Sequence, residues 1–416
     1  MTTSQIIALV IFAITMLAIM TEKIHRTVAA ITGAILLVLT GILTIESSFT
    51  YVDINTLGVL IGMMLFVTIV KNSGLFEYIA IKSAKLAKGR PWAIMAMFMV
   101  ITALLSAFLD NVTTVLLIGP MTLAITNMLK VNPVPFFMTQ ILASNIGGTA
   151  TLIGDPPNIM IGSAAGLSFT DFVCNTGPAV VLVMAATVLC FYFIYGRKLS
   201  ADGESIQIVM ALDENKAIKD KALLIKSVVM IPLVVLGFVF HSQLHLESCT
   251  VALTAAVVML LIGKQDLEET IAGVEWTTII FFTGLFIVVG GLQETGLIQI
   301  LANWLMEATD GRLALTLVIV LWVSALVSSF LDNIPFVATL IPLILTMESS
   351  GMDVAPLWWA VSLGACLGGN GTLIGASANV VLSGISTRHG YPITFASYFK
   401  VGFPMMLVSI LISTVY

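Results

Sequence analysis

Charged residues are scarce in this sequence. Only 10% of its 416 residues are Asp, Glu, Lys or Arg, whereas 58% are hydrophobic, and the mean hydropathy is +1.07. A soluble domain of this length carries far more surface charge, and the apolar runs are longer than the strands of a membrane barrel need. The composition therefore predicts an all-α polytopic membrane protein, because helices satisfy their own backbone hydrogen bonds in lipid.

Other absences exclude several kinds of site and partner. The sequence has four widely separated cysteines, with no CxxC and no histidine at metal spacing: Cys174, Cys190, Cys249 and Cys366. Neither a disulfide set nor a metal site is therefore predicted, and we expect no cofactor. The net charge of −5 and the pI near 5.4 give no sign of nucleic-acid binding. No basic segment precedes residues 6–20, which we expect to be a retained span and not a cleaved signal.

One motif occurs twice. Residues 108–112 read FLDNV and residues 330–334 read FLDNI, 222 positions apart (330 − 108). A glycine-rich segment follows each copy, NIGGTATLIGDPPN at 145–158 and GGNGTLIGASAN at 368–379. Asp and Asn inside apolar sequence mark ion or substrate paths. Helix breaks at matching positions of two halves indicate the binding site of a transporter. The repeat therefore predicts a secondary transporter.

The apolar segments divide the chain into two halves of similar design. We predict a first repeat at 1–195, a cytoplasmic linker at 196–223 and a second repeat at 224–416. Each half is predicted to contain five spans, an interfacial amphipathic helix, a re-entrant hairpin and a broken helix. The hairpins are predicted at 91–129 and 313–347, and the broken helices at 134–166 and 356–386.

Basic residues decide the predicted topology. With re-entrant hairpins, all but Arg312 of the 18 Lys and Arg residues fall on one side of the membrane. The positive-inside rule makes that side cytoplasmic. If both arms of both hairpins crossed the membrane fully, the basic residues would stay on the same sides. The charge distribution therefore does not exclude a topology with fully spanning hairpins. Five spans per half is an odd number, so the second half is expected to be inverted. Both termini are expected outside, in a multi-pass protein of the cell membrane.

The candidate ion and substrate ligands are the polar and glycine residues of the two hairpin tips and the two breaks. Helix ends at such places present free carbonyl and N–H groups. The tip ligands are Asp110, Asn111, Thr113, Thr114, Asp332 and Asn333. The break ligands are Asn145, Gly147, Gly148, Thr149, Thr151, Asp155, Asn158, Gly368, Gly369, Asn370, Thr372, Ser377 and Asn379. The alternative is structural: an Asp can cap the returning helix, and glycines can pack helices closely.

The two breaks differ in charge. Asp155 has no acidic counterpart, because Ala376 occupies the matching position. Two carboxylates close together in a low dielectric share a proton over part of the pH range. We therefore predict Asp110 and Asp155 as the pair that couples protons or sodium. No Lys or Arg lies within either motif, so we expect a neutral or weakly charged solute in preference to a dicarboxylate.

At FLDN and GGTATLIGDPPN the chain resembles the ion transporter superfamily, and the resemblance covers nearly the whole chain. It looks most like the branch of arsenite efflux permeases and the melanosomal P protein, with a domain of the citrate transporter type. It is more distantly similar to NhaD-type sodium/proton antiporters and divalent-anion/sodium symporters. In those symporters a Ser-Asn-Thr motif at the tips binds sodium. The matching residues here, 110–112 and 332–334, read Asp-Asn-Val and Asp-Asn-Ile, so those sodium sites are not carried over.

The resemblance implies an architecture and an activity. It implies a scaffold domain that forms a homodimer and a transport domain that moves as an elevator. It also implies export of arsenite or antimonite against proton entry, with H⁺ or Na⁺ as the coupling ion. Arsenite would move as neutral As(OH)₃ on hydroxyl and amide ligands, because a cysteine triad is lacking. Sodium/proton exchange and a sodium- or proton-coupled permease for carboxylates or other anions are the alternatives.

Two other classes of function fit the sequence less well. A channel needs a continuous polar pore, whereas the polar residues here gather at two tips and two breaks. An intramembrane aspartyl protease would use Asp110 and Asp332 as a dyad, but the repeated breaks have no role in that chemistry. We therefore expect no enzyme. The expected partners are the lipid bilayer and a small inorganic solute, with no nucleic acid, and a soluble ATPase partner is left open.

Overall fold

The computed structural model describes residues 1–21, 23–309 and 312–416. Within these ranges the chain forms α-helices joined by short turns, and no strand is present. Nine of the described helices are long and apolar enough to cross a membrane, judged by length and composition. The prediction of an all-α polytopic membrane protein is confirmed at this level.

The first half contains eleven α-helices. They are α1 (Thr3–Thr21), α2 (Arg26–Leu39), α3 (Ile45–Thr50), α4 (Ile54–Lys71), α5 (Leu75–Leu86), α6 (Pro91–Phe108), α7 (Asn111–Met128), α8 (Val134–Gly148), α9 (Pro156–Ala165), α10 (Phe169–Asn175) and α11 (Gly177–Phe191). A π-helical turn, Tyr192–Gly196, extends α11. The segment that follows is polar and contains α12 (Gly203–Met210) and a 3-10 turn, Glu214–Ala217.

The second half repeats most of this series. Its helices are α13 (Lys221–Phe240), α14 (Ser248–Gly263), α15 (Leu267–Ala272), α16 (Trp276–Glu294), α17 (Leu297–Ala308), α18 (Leu313–Phe330), α19 (Asn333–Ser349), α20 (Ala355–Gly368), α21 (Ser377–Arg388) and α22 (Phe395–Val415). The starts of α14, α16 and α18 follow those of α2, α4 and α6 at a constant offset of 222 (248 − 26, 276 − 54, 313 − 91). The start of α21 follows that of α9 at an offset of 221 (377 − 156).

Two close helix crossings interlock the halves. Helix α4 packs along α14, and α2 packs along α16. A Cβ atom added to Gly62 would lie 2.5 Å from the carbonyl carbon of Ala252, and one added to Gly284 would lie 2.8 Å from that of Ala30. Both residues of one crossing lie 222 positions from their counterparts in the other (284 − 62, 252 − 30). Small residues at these points allow the helix backbones to touch.

The tips and breaks lie where helices end. Two residues, 109–110, separate α6 from α7, and residues 331–332 separate α18 from α19. In both helix pairs the two arms pack against each other. Helix α8 ends at Gly148 and α20 ends at Gly368, and seven or eight residues of irregular backbone follow before α9 and α21 begin (155 − 148, 376 − 368). The polar side chains of the tips and breaks are therefore placed at helix ends.

Four short helices, α3, α10, α12 and α15, have no counterpart among the predicted elements. Apolar runs do not reveal them, because they are six to eight residues long and contain polar side chains. Local capping defines them instead. In α10 the Ser168 hydroxyl accepts a hydrogen bond from the Asp171 N–H at 3.2 Å, and the Asp171 carboxylate accepts one from the Ser168 N–H at 2.8 Å. This reciprocal pair is a capping box.

Candidate functional site

The first tip is held by hydrogen bonds along its own chain. The Asp110 carboxylate accepts from the Thr113 N–H at 2.8 Å and from the Thr113 hydroxyl, so it caps α7. Asn111 is buried and donates from Nδ2 to Oδ1 of Asn145 at 3.2 Å. The buried Thr114 hydroxyl has no hydrogen-bond partner within the described ranges. The capping role of Asp110 leaves Asn111 as the link from this tip to the first break.

The second tip carries an ion pair. Oδ1 of Asp332 accepts from the Ile334 N–H at 3.1 Å, and this bond caps α19. Oδ2 lies 3.2 Å from Nη1 of Arg26 and accepts from the Ser377 hydroxyl at 2.9 Å. Neither motif contains a Lys or Arg, but Arg26 brings a fixed cation to the second tip, so the reason for expecting a neutral or weakly charged solute does not hold. Sequence motifs missed Arg26 because it lies at the start of α2, in the opposite half of the chain from Asp332.

Asp155 joins the first break to the second tip. Its two carboxylate oxygens lie 3.4 and 3.3 Å from Nδ2 of Asn333. The side chain is fully buried, and the ion pairs formed by the described residues do not include it. Asp155 is therefore a buried carboxyl group that an amide of the other half contacts.

Amide side chains connect the two breaks directly. Nδ2 of Asn145 donates to Oδ1 of Asn370 and to Oδ1 of Asn379, at 2.9 Å in each case. Asn158 accepts at Oδ1 from the Ser362 hydroxyl at 2.7 Å. All of these side chains are fully buried. The bonds from Asn145 and Ser362 therefore cross between the halves and fix one break against the other.

Several of the predicted ligands bind backbone carbonyl groups of the breaks and tips. Asn158 and Asn379 each donate from Nδ2 to the carbonyl of a break threonine, at 2.9 Å in both halves. The threonine hydroxyl groups donate to carbonyl oxygens in the same way: Thr149 to Asn145, Thr151 to Ala107, and Thr372 to Ser329. Unwound backbone buried in a membrane protein requires such partners. These side chains therefore stabilise the breaks.

The paired glycines of the breaks allow close backbone contact. A Cβ atom added to Gly147 would lie 2.1 Å from the carbonyl oxygen of Ala103 on α6. One added to Gly368 would lie 2.6 Å from that of Ala325 on α18. Gly148 and Gly369 approach the far side of their own breaks in the same manner. A larger residue at Gly147 or Gly368 would push a broken helix away from its hairpin, and one at Gly148 or Gly369 would widen the break itself.

A small cavity lies where these elements meet. Its volume is about 20 Å³, which is room for roughly one water molecule. Five of the predicted ligands line it: Asp110, Asn111, Asp155, Asn333 and Ser377. Arg26, Glu275 and Thr278 line it as well. Asp110 and Asp155 thus share one cavity, although their oxygens have different partners. Within the described ranges, no group of three His, Cys, Asp or Glu residues is placed to hold a metal ion.

A wider vestibule adjoins this cavity. Its volume is about 320 Å³, and its lining includes His25, Arg26, Asp332 and Ser377. Arg26 and Ser377 line both spaces. The side chain of Arg26 is 27% exposed and that of Asp332 is 12% exposed, whereas Asp155 is fully buried. The ion pair therefore lies at the boundary between the vestibule and the inner cavity.

Glu275 is a carboxylate of the site that sequence reasoning missed. It accepts from the Thr278 hydroxyl at 3.1 Å. Its counterpart in the first half is Asp53, at the repeat offset of 222 (275 − 53). Asp53 accepts from the Thr56 N–H at 3.1 Å and from the Ser163 hydroxyl at 2.9 Å. The same offset relates both threonines (278 − 56), so extending it upstream of the tip motif would have revealed Glu275.

Relatives from bacteria and from mammals match nearly the whole chain. Over 99% of its length the chain is 41% identical to an uncharacterized transporter of Mycobacterium bovis, covering 97% of that protein. Over the same share it is 40% identical to a 46 kDa membrane protein of Mycobacterium leprae, covering 98% of it. The whole chain also aligns with 60% of the longer human P protein, at 33% identity.

Two solved structures share the fold. The YdaH transporter of Alcanivorax borkumensis aligns with 92% of this chain and 86% of its own, at a TM-score of 0.59 and 16% identity. MtrF of Neisseria gonorrhoeae, described as illuminating a class of antimetabolite efflux pumps, aligns with 100% of this chain and 94% of its own, at a TM-score of 0.60 and 11% identity. At such low identity these two likenesses show the fold alone.

The family itself follows from a match to residues 16–364, which fit the model of the family described as citrate transporter. The resemblance that the tip and break motifs indicated, to transporters of this type and to the P protein, is thereby confirmed. The chain belongs to the citrate transporter family of membrane transport proteins.

Proposed function

We propose that this protein is a secondary active transporter that couples the movement of a small solute to protons, with Asp155 as the proton-binding group. One observation carries the proposal: Asp155 is fully buried, and its carboxylate contacts an amide of the other half at 3.3 Å. Burying an unpaired carboxylate costs far more free energy than burying the neutral acid. A carboxyl group in this position suits reversible binding of a proton.

The neighbouring groups favour a proton over sodium. Nδ2 of Asn333, a hydrogen-bond donor, faces both oxygens of Asp155, whereas a sodium ion needs several oxygen ligands directed toward it. Asp110 is the second carboxylate of the same cavity. We propose that it forms the coupling pair with Asp155, through a shared proton or a water molecule between them. Sodium/proton exchange is therefore the less favoured alternative.

The finer architecture is part of the same proposal. We propose two inverted halves, re-entrant hairpins at α6–α7 and α18–α19, external termini and a cytoplasmic linker. The constant offset of the helix starts supports the repeat, and the odd number of spans per half supports its inversion. A dimeric scaffold and an elevator movement are proposed on the family resemblance.

The solute is the second part of the proposal. Export of arsenite or antimonite would use the uncharged hydroxide, bound by amides such as Asn145 and Asn370. The relatives described above lend no support to a metalloid as the solute. Arg26 also removes the main reason for preferring a neutral solute, because its guanidinium group lies 3.2 Å from Asp332 at the edge of the cavity. We therefore put a small anion first and a metalloid hydroxide second.

Transport in proteoliposomes tests this function. The purified protein would be reconstituted with an internal pH-sensitive dye, and arsenite, citrate, phosphate, chloride and sodium would each be added under an imposed pH gradient. We expect at least one solute to drive a proton flux through the wild-type protein and none through Asp155→Asn, with equal amounts reconstituted. Equal proton flux through both proteins would overturn the role of Asp155. Solute flux that does not change with the imposed pH gradient would overturn proton coupling.

A further inference from the structure

We infer that Arg26 and Ser377, with Thr278 holding the guanidinium group, form an anion subsite that the chain's own Asp332 fills when no solute is bound. The matching ligand is an anion that carries two or more oxygens on one atom, such as a carboxylate or an inorganic oxyanion. This inference rests on the proposed transport function and adds the chemical class of the solute and the group that it displaces.

The donors of the subsite converge on one carboxylate oxygen. Nη1 of Arg26 lies 3.2 Å from Oδ2 of Asp332, and the Ser377 hydroxyl donates to the same oxygen at 2.9 Å. Arg26 also donates to Ser377 from Nη1 and to Thr278 Oγ1 from Nη2 at 3.4 Å. A guanidinium group held by other side chains is the arrangement with which proteins recognise carboxylates and oxyanions.

The surroundings add to this preference. Ser377 is the first residue of α21, and the N-cap residue Ala376 has no side chain that could bind the free N–H groups there. The positive end of the helix therefore faces the same place. The guanidinium group of Arg26 lies 5.1 Å from the centre of the Phe281 ring, which fixes its plane from the other side. The donors are thus held in position before an anion arrives.

The subsite is accessible, unlike the buried carboxyl group behind it. The vestibule of about 320 Å³ includes Arg26, Asp332 and Ser377 in its lining, and this volume is at the lower end for small-molecule sites. An anion that enters the vestibule therefore meets Arg26 before it reaches Asp155. The carboxylate of Asp332 occupies the position that such an anion would take.

Exchange requires Asp332 to leave the subsite. Asp332 lies in the two-residue tip between α18 and α19, and its Oδ1 can keep the bond to the Ile334 N–H while Oδ2 turns away. The charged and titratable groups around it are Arg26 and His25 at the start of α2, Glu275 before α16, and Asp110 and Asp155.

Among the described residues of the first half, no equivalent subsite is present. The residue that matches Arg26 is Ser248 (248 − 26 = 222), which donates to Asn55 at 3.2 Å. The Asp110 carboxylate correspondingly binds Thr113 of its own helix. The two tips therefore differ in function: only the second tip exchanges its carboxylate for an anion.

Binding by the purified full-length protein in detergent tests this inference. Dissociation constants at pH 7 would be measured for acetate, citrate, sulfate, phosphate and uncharged arsenite, with wild type, Asp332→Asn, Arg26→Gln and Lys23→Gln. Lys23→Gln is the matched control, because Lys23 is an exposed cation three residues before Arg26. We expect Asp332→Asn to bind one or more anions about 10-fold more tightly, since an internal competitor is removed. We expect Arg26→Gln to weaken the same anions about 10- to 100-fold.

The outcomes separate this inference from the proposed function. Tighter binding of acetate and citrate identifies a carboxylate, tighter binding of sulfate and phosphate identifies an inorganic oxyanion, and either supports the subsite. If Arg26→Gln does not fold, Arg26→Lys replaces it and is expected to bind the anion more weakly than wild type. The inference would be overturned if Asp332→Asn and the Arg26 variant both bind every anion with an affinity within twofold of that of the Lys23→Gln control. Proton coupling that still depends on Asp155 would then leave the proposed function intact.

Discussion

Nδ2 of Asn333 lies 3.3 Å from Oδ2 of Asp155, and this contact joins a hairpin tip of the second half to the helix break of the first. The equivalent asparagine, Asn111, contacts an amide and not a carboxylate, at 3.2 Å from Asn145. The two tips therefore place the same residue against different groups: an amide in the first half and a carboxylate in the second. The difference arises because only the first break carries an acid, at the position that Ala376 occupies in the second.

Removing this contact should impair coupled transport. We expect Asn333→Ala to lower solute-driven proton flux at least about 10-fold, because a hydrogen bond to a buried carboxylate contributes roughly 1.5–3 kcal/mol. Flux would be measured in proteoliposomes with equal amounts of protein. Asn303→Ala, the same change at an exposed position of α17, should leave the flux at the wild-type value. Equal flux through both variants would contradict the importance of the contact.

The amide network should contribute to stability. Asn145→Ala removes the donor to Asn370 and Asn379 and the acceptor for Asn111. Buried polar groups left without partners cost about 1–3 kcal/mol each, so the thermal unfolding midpoint in detergent should fall by several degrees. Asn303→Ala again serves as the control. A midpoint for Asn145→Ala equal to the control's would mean that the three neighbouring amides find other partners.

The break glycines should tolerate no side chain. Gly147→Ala would place a Cβ 2.1 Å from the carbonyl oxygen of Ala103, and overpacking against backbone costs about 1–3 kcal/mol or more. We expect a strong loss of folded protein, measured by size-exclusion chromatography after solubilisation. Gly384→Ala, in the middle of α21, is the matched control because a Cβ there meets nothing within 4 Å. Similar yields of the two variants would show that the break can widen.

Matching loops should face opposite sides of the membrane. Asn132 follows the first hairpin and Asp353 follows the second, at an offset of 221 (353 − 132), and both are exposed. In a chain with its four cysteines replaced, Asn132→Cys should react with an impermeant maleimide only after permeabilisation. Asp353→Cys should react in intact cells. Labelling of both from the same side would contradict the inverted orientation of the halves.

The linker should loosen at acid pH. Nζ of Lys85 lies 2.5 Å from Oε2 of Glu214, and this hydrogen bond from Lys85 lowers the pKa of the Glu214 carboxyl group. A lowered pKa means that the stabilisation is complete above the ordinary pKa of 4.5 and is lost as the pH falls through the lowered value. Hydrogen exchange of residues 203–217, corrected for the intrinsic pH effect, should therefore accelerate as the pH falls below 4.5.

A substitution separates the contribution of the Lys85–Glu214 ion pair from the effects of low pH on other groups. Lys85→Met should accelerate exchange in the linker already at pH 7, because Glu214 then has no cation at hydrogen-bond distance. Lys216→Met removes an exposed lysine from the linker itself and should not change the exchange rate. Equal rates for Lys85→Met and Lys216→Met at pH 7 would show that the pair contributes nothing to linker order.

Local motifs predicted the helix ends of the site well. FLDN places polar residues between two apolar runs, and the helices end within one or two residues of Asp110 and Asp332. The glycine pairs likewise mark the ends of α8 and α20. These helix ends depend on residues close together in the chain, so a local sequence pattern is enough to predict them. Sequence reasoning treated all polar residues of the breaks alike, however, whereas Thr151 and Thr372 bind backbone carbonyls.

Contacts between distant residues account for what the sequence did not reveal. Arg26 lies near the start of the chain and reaches Asp332 in the second half, and no motif surrounds it. Its position depends on the packing of α2 along α16, which only the folded structure contains. The contact between Asp155 and Asn333 has the same origin. A carboxylate's partner in a polytopic protein is chosen by helix packing and cannot be read from the motif that carries it.

The crossings of α4 with α14 and of α2 with α16 have a consequence for biosynthesis. The Gly62 surface of α4 contacts α14, a helix that begins only at Ser248, beyond the linker. This surface therefore has no native neighbour when the first half leaves the ribosome. The first-half helices can pack against one another at that stage, but this face of α4 stays exposed to lipid until α14 has been inserted. Completion of either half is thus a late event that depends on the other, and a fragment ending at the linker would leave these faces of α2 and α4 without their native neighbours.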